Sequence, residues 1–186
     1  MTGGRFILIG GGARSGKSAF ALTLARALGS RRLFLATAQA GDEEMAERIR
    51  RHRQERGADF VTIEEPLAVP DMLRPHGEFD VVVIDCLTLW LSNLLLADKG
   101  ADEILSRVED LLAILKLGQM NAVLITNEVG MGLVPETALG RAFRDLTGLA
   151  HQRLSQQADE VYVAILGTML RIKPEPAFIQ SSWVKS

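Results

Sequence analysis

The chain has 186 residues, 47% of them hydrophobic and 24% charged, with a formal net charge of −2. That length suits one folding unit with a full interior, and the near-neutral charge excludes a global basic field for nucleic acid. A single cysteine, Cys86, excludes an internal disulfide framework and fits a reducing cytoplasm, no apolar run approaches the roughly 20 residues of a membrane span, and Phe6 to Ile9 is too short for the apolar stretch of a signal peptide.

Arg5 to Ile9 reads as a first buried strand, and it runs into Gly11-Gly12-Ala13-Arg14-Ser15-Gly16-Lys17-Ser18. This is a G-x-x-x-x-G-K-S loop between a strand and a helix, the helix covering Lys17 to Leu28 and stopping at Gly29. The glycines let backbone N–H groups turn inward onto phosphate oxygens, and the helix dipole adds positive potential beneath them. Lys17 is the point charge for the β- and γ-phosphates, and Ser18 offers a hydroxyl to Mg²⁺. Other readings of these glycines fail. Counted from Gly10, a G-x-G-x-x-G fingerprint would need glycine where Ser15 stands. No V-A-I-K, H-R-D or N-K-x-D run occurs, which argues against a protein kinase or a Ras-like GTPase. The chain binds a nucleoside triphosphate.

Leu33 to Ala36 is a second strand. Asp42 is placed to cap a polar helix from about Glu43 to Glu55, and Phe60 to Glu64 is a short edge strand. Val81-Val82-Val83-Ile84, β-branched almost throughout, reads as a central parallel strand. Leu87 to Leu96 is apolar nearly all round, so it is a buried or an interface helix. An amphipathic helix follows from Asp102 to about Leu117, then a strand at Ala122 to Ile125. Glu136 to Gln157 is a long helix that Gly148 could break. Val161 to Ile165 and Met169 to Ile172 form a hairpin turning at Gly167-Thr168, and a polar tail starts at Pro174. Strands alternating with helices predict an α/β fold, a mostly parallel sheet with helices on both faces. We divide it as one nucleotide-binding unit over 1–173 and a tail over 174–186.

In such sheets ligands gather at the carboxyl ends of the strands. Asp85 closes the central strand and is the acid expected to complete a Mg²⁺ site with Ser18, the lesser reading being a cap for the next helix. Cys86 beside it reads as a small buried hydrophobe. Two further polar clusters follow strands, Ala36-Thr37-Ala38-Gln39 and Thr126-Asn127-Glu128-Val129-Gly130-Met131-Gly132. The second is either a close-approach loop or an ordinary connection.

The segment Arg48-Ile49-Arg50-Arg51-His52-Arg53-Gln54-Glu55-Arg56 puts Arg48, His52 and Arg56 in one helical row. Two readings fit it. It is a solvated basic face paired with Glu43, Glu44 and Glu47, or it carries a nucleophilic histidine whose arginines neutralise phosphate charge. His76 lies in a turn before a strand, and His151 on the long helix reads as a surface or packing residue, which leaves His52 as the nucleophile candidate.

Taken together, these motifs closely resemble the bifunctional adenosylcobinamide kinase / adenosylcobinamide-phosphate guanylyltransferase family of cobalamin biosynthesis. The resemblance runs from about Arg5 to Lys173, and its T-N-E-V-G-x-G-x-V-P-E run, Thr126 to Glu136, is more specific than the phosphate loop. It implies a RecA-like P-loop fold, Mg²⁺, ATP and GTP as substrates, adenosylcobinamide and its phosphate as acceptors, and a homotrimer. It implies that His52 becomes guanylylated. Nucleotide contacts are implied at Gly11 to Ser18, at Ala36, Thr37 and Ala38, along Arg53, Gln54, Glu55 and Arg56, and at Glu64 and Asp85. Some relatives carry glutamate at the position of Asp85 and His-His where this chain has Arg51-His52. Trp90 and Met131 are candidate corrinoid contacts, with a core or interface role the preferred reading of Trp90. A plain small-molecule kinase or a nucleotide-dependent switch, lacking guanylyl transfer, is the alternative.

Overall fold

The computed structural model describes residues 3–39, 41, 43–74 and 78–179. Eight strands form one sheet in the order β3-β2-β4-β5-β1-β6-β7-β8. They are β1 (Phe6–Gly11), β2 (Arg32–Ala36), β3 (Val61–Glu64), β4 (Val81–Asp85), β5 (Asn121–Ile125), β6 (Glu160–Ile165), β7 (Thr168–Lys173) and β8 (Ala177–Ile179). The first six run parallel, β7 pairs antiparallel with β6, and β8 pairs antiparallel with β7. Crossovers are made by α1 (Lys17–Leu28), α2 (Glu43–Arg56), α3 (Val69–Leu73), α4 (Leu87–Leu96), α5 (Ala101–Lys116) and α6 (Ala138–Gln157).

Period-2 alternation sends the two faces of each strand into different cores. Leu8, Leu35, Val82, Ile84 and Leu124 pack against α3 to α6. Ile9, Phe34, Val83, Val123 and Ile125 pack against Phe20, Ala21 and Ala25 of α1. The parallel strands are buried on both faces, which is why they read as continuous apolar runs. Their carboxyl ends share one edge, since Gly11 pairs with Ala164 and Asp85 with both Ala36 and Ile125.

Three sequence expectations are corrected, and a fourth is narrowed to one of its two readings. The long helix starts at Ala138, capped by Thr137 Oγ1, which accepts from Gly140 N at 3.1 Å, and it passes Gly148 unbroken. The hairpin turns at Leu166-Gly167, one residue earlier than read. The tail does not begin as irregular chain, because Ala177–Ile179 adds an eighth strand beside β7. Finally, the apolar circumference of α4 is used inside the chain. Leu87, Trp90 and Leu91 are fully buried, and Trp90 Nε1 donates to Leu67 O at 2.8 Å. The helix α3 had no periodic signal, being five residues long.

Candidate functional site

β1 delivers the chain to Gly11, and α1 begins six residues later at Lys17. The intervening loop curls because Arg14 and Gly16 adopt positive φ, 55° and 87°. Gly11 is required by space as well, since a Cβ there would meet Ala164 on β6 at 2.8 Å. No side chain caps the first turn of α1, so its N–H groups and dipole remain available to an anion. Lys17 is buried, and its Nζ donates to Gly12 O at 2.7 Å. Ser15 Oγ is buried with no hydrogen-bond partner among the described residues, a polar atom that a phosphate oxygen would satisfy.

Asp85 reaches the same place from the end of β4. Ser18 Oγ donates to its Oδ2 at 3.3 Å, across 67 residues of sequence. Burial pushes the Asp85 carboxyl above the ordinary aspartate range, while His52, the Ser18 hydroxyl, Lys17 and Arg56 pull it back down. A hydroxyl and a carboxylate are hard oxygen donors that suit Mg²⁺. Among the described residues no group of three or more His, Cys, Asp or Glu could hold a metal ion. A cation here would therefore complete its shell from phosphates and water, as Mg²⁺ does at nucleotides.

The helix α2 has two characters. On its outer side Arg50 pairs with Glu47, and Arg53 reaches across to Glu64 at the end of β3. On its inner side His52 and Arg56 face a cavity that also holds Lys17, Ser18, Asp85 and Asn127, with Phe34, Ala36, Ala38, Ile49 and Leu89 as apolar walls. Arg56 is buried with its guanidinium carbon 4.0 Å from the Phe34 ring centroid, so the ring fixes that cation beside the cavity. Exposed ion pairs and cavity-facing side chains thus lie on different sides of this helix.

Ala36 and Ala38 line the cavity, but Thr37 does not. Thr37 is fully buried beneath it, its Oγ1 donating to Cys86 O and accepting from Cys86 N, both at 2.8 Å. It clamps β2 to β4, and Asn93 Nδ2 tightens the clamp by donating to Thr37 O at 2.8 Å. Cys86 is buried as expected, and burial together with the neighbouring Asp85 pushes its thiol up to about 11.

Asn127 was visible in the sequence only as part of a polar cluster. It enters the cavity wall from the end of β5, with Nδ2 donating to Thr88 Oγ1 at 2.9 Å. His151 is no simple surface residue, for its Nε2 lies 2.7 Å from Thr126 Oγ1. Gln54 is exposed, and the side chain of Glu55, with Asp42 and His76, lies outside the described residues.

Residues 7–172 match the family described as cobinamide kinase / cobinamide phosphate guanyltransferase. The chain belongs to that family. It is 42% identical over 170 residues to the bifunctional adenosylcobalamin biosynthesis protein CobP of Pseudomonas aeruginosa, covering 91% of this chain and 98% of that protein. It is 39% identical to the bifunctional adenosylcobalamin biosynthesis protein CobU of Escherichia coli, covering 90% of this chain and 99% of that one. Among solved structures, the RadB recombinase aligns with a TM-score of 0.55 at 13% identity, covering 95% of this chain and 86% of that chain. The KaiC-like protein PH0186 of Pyrococcus horikoshii aligns at 0.52 and 15% identity, covering 97% and 84%. These two likenesses concern the fold alone, and the RecA-like expectation stands. Within the cobinamide kinase / guanyltransferase family, then, this chain brings Lys17, Ser18, His52, Arg56 and Asp85 to one cavity.

Proposed function

We propose that this chain is a bifunctional transferase that phosphorylates cobinamide from a nucleoside triphosphate and then carries GMP from GTP to the phosphorylated product. Family membership supports the two activities, and the observation that carries the site assignment is the meeting of His52 with Lys17, Ser18 and Asp85 in one cavity.

In the kinase step the phosphate loop holds the triphosphate through backbone N–H groups, and Lys17 swings from Gly12 O to the β- and γ-oxygens. Ser18 and Asp85 would hold Mg²⁺, which offsets charge on those oxygens when bound. In the guanylyl step an imidazole nitrogen of His52 attacks the α-phosphorus of GTP, an N–P bond forms, and the P–O bond to the β-phosphate breaks, releasing pyrophosphate. Arg56 faces the same cavity as a fixed cation for the developing charge. A phosphate oxygen of the acceptor then attacks the N–P phosphorus, forms the diphosphate bridge and frees His52. We assign nucleotide contact also to Glu64, which lines the His52 cavity and the two hollows beside it, and to Arg53, which borders those hollows. We also propose a homotrimer, on family resemblance alone, and light scattering that gives a monomer mass at micromolar concentration would remove it.

Incubation with α-labelled GTP tests the central step. The label is expected on the peptide containing His52, labile in acid and stable in alkali. His52→Ala abolishes labelling and GMP transfer while phosphorylation of cobinamide persists, and Lys17→Ala loses phosphorylation by roughly a thousandfold. Parental labelling of His52→Ala would place the nucleophile elsewhere.

A further inference from the structure

The loop after β5 holds a carboxylate and α6 sets an imidazole against it, two groups that neither step above employs. Thr126 N donates to Ile9 O at 2.9 Å, and Glu128 N donates to Gly11 O at 3.0 Å, so the loop is tied to the last residues of β1. His151 arrives from α6, 25 residues away in sequence, and its Nε2 lies 2.7 Å from Thr126 Oγ1. With that hydroxyl donating to Nε2, the neutral ring carries its N–H on Nδ1, which stands 3.7 Å from Glu128 Oε2. Burial holds His151 below the ordinary histidine range, against the opposing pull of Glu128, and so favours the uncharged ring. Glu128 Oε1 accepts from Gly130 N at 2.6 Å, which ties the carboxylate to its own loop, while Oε2 faces the His151 ring and the side chain stays one-third exposed.

The position of Glu128 relative to the phosphate loop gives this arrangement a use. The cavity with His52 lies toward β2 and β4, and Asn127 lines it while Glu128 does not. Beyond Glu128 the same loop exposes Met131, Leu133 and Val134, at 89%, 97% and 66%. Across β1, the tip of the β6–β7 hairpin exposes Leu166 at 99% in a positive-φ turn, beside Ala164 that abuts Gly11. Large apolar side chains held in water on both flanks of a phosphate loop mark a ligand surface. They suit the broad, methyl-bearing ring of the acceptor and put its approach on the Glu128 side.

Resting on the kinase reading above, we infer that Glu128 is the proton acceptor for the acceptor alcohol and that His151 is the residue that positions it. The alcohol oxygen attacks the γ-phosphorus, its proton passes to the Glu128 carboxylate, the new O–P bond forms, and the bond to the β-phosphate oxygen breaks to release the nucleoside diphosphate. His151 and Thr126 aim the carboxylate through contacts that do not touch substrate.

The full-length chain provides its own control because guanylylation of His52 needs no alcohol deprotonation. In Glu128→Gln the amide oxygen can still accept from Gly130 N, so the loop keeps its turn but loses the base. Its kinase kcat with MgATP and cobinamide falls about 100-fold, with KM for ATP within twofold of parent and GMP labelling at the parental rate. Glu128→Asp keeps a carboxylate on a shorter arm and retains more kcat than Glu128→Gln. His151→Ala lowers kcat about tenfold in the parent and adds nothing in the Glu128→Gln background, as expected of two residues acting as one unit. Parental kcat in Glu128→Gln overturns the inference, as does equal loss of phosphorylation and labelling, which would make the loop purely structural. A parent chain that takes up GMP label but does not phosphorylate cobinamide would instead overturn the kinase reading on which the inference rests.

Discussion

Two aspartates flank the strand β4, one just before it and one closing it, and their surroundings are opposite. Asp80 accepts from Ser30 N, Ser30 Oγ and Arg31 N at Oδ2, and from Arg31 Nε and Nη2 at Oδ1, all within 3.1 Å. Those donors hold its carboxyl well below the ordinary aspartate range. Asp85, five residues on, receives the Ser18 hydroxyl at 3.3 Å and is pushed the other way by burial. A carboxylate supplied with donors by its own fold ties elements together, here the starts of β2 and β4. One buried beside a lysine, a histidine and a phosphate loop costs stability and is kept for what it will bind. Asp80 at the amino edge of this sheet is thus fully supplied with donors, and Asp85 at the carboxyl edge is not.

The largest expected effect separates the two residues by activity. Asp85→Asn should lower phosphorylation of cobinamide by about 100-fold or more while leaving the nucleotide-free melting temperature at pH 8 equal to or above the parent's. Asp80→Asn should do the reverse, melting lower with kcat kept. If Asp85→Asn retains a parental magnesium titration, the two aspartates do not differ in function and the contrast fails. Next comes Thr37→Val, which leaves the buried N–H and C=O of Cys86 without their hydroxyl partner and should cost about 1–3 kcal/mol in urea unfolding. A loss below a few tenths of that would mean that β2 and β4 need no clamp under the cavity.

The smallest effect sharpens the comparison through pH. Because the folded state lowers the Asp80 pKa, its stabilisation is complete above the ordinary aspartate range and fades as pH falls below about 4. The stability gap between parent and Asp80→Asn should therefore narrow steadily as pH falls from 5 to 2 in thermal melts. For Asp85, whose pKa folding raises, protonation relieves the buried charge, so the advantage of Asp85→Asn should also shrink on acidification, but with opposite sign. Parallel curves with no closing of either gap would remove both assignments.

Much of the fold was legible because its signals are local. The helix Lys17–Leu28 has the bounds read from its glycines and apolar run, and Leu87–Leu96 likewise. The break expected at Gly148 failed because burial of Leu146, Ala150 and Leu154 on one face outweighs the roughly 1 kcal/mol preference against a helical glycine. The strand at Ala177–Ile179 lay among prolines and exists only because β7 offers it an edge. In the site, Lys17, Ser18 and His52 could be nominated from residue type and spacing, whereas Asn127 and His151 could not, since nothing in their neighbours states what they face.

By itself the sequence determined what short-range chemistry determines: a loop whose glycines must curl, a lysine and serine adjacent at a helix start, apolar runs that must be strands in a parallel sheet, and a helix dense in arginine. Which of those arginines meet acids and which the cavity was decided by the sheet order. That order sets β2 between β3 and β4, so that Glu64 takes Arg53 and the Phe34 ring takes Arg56. The same order sets β4 two strands from β1, which brings Asp85 to Ser18 across 67 residues and leaves the β5 loop to meet Gly11. Such pairings depend on backbone hydrogen bonds between distant strands and on burial shared by both faces. No local propensity encodes either.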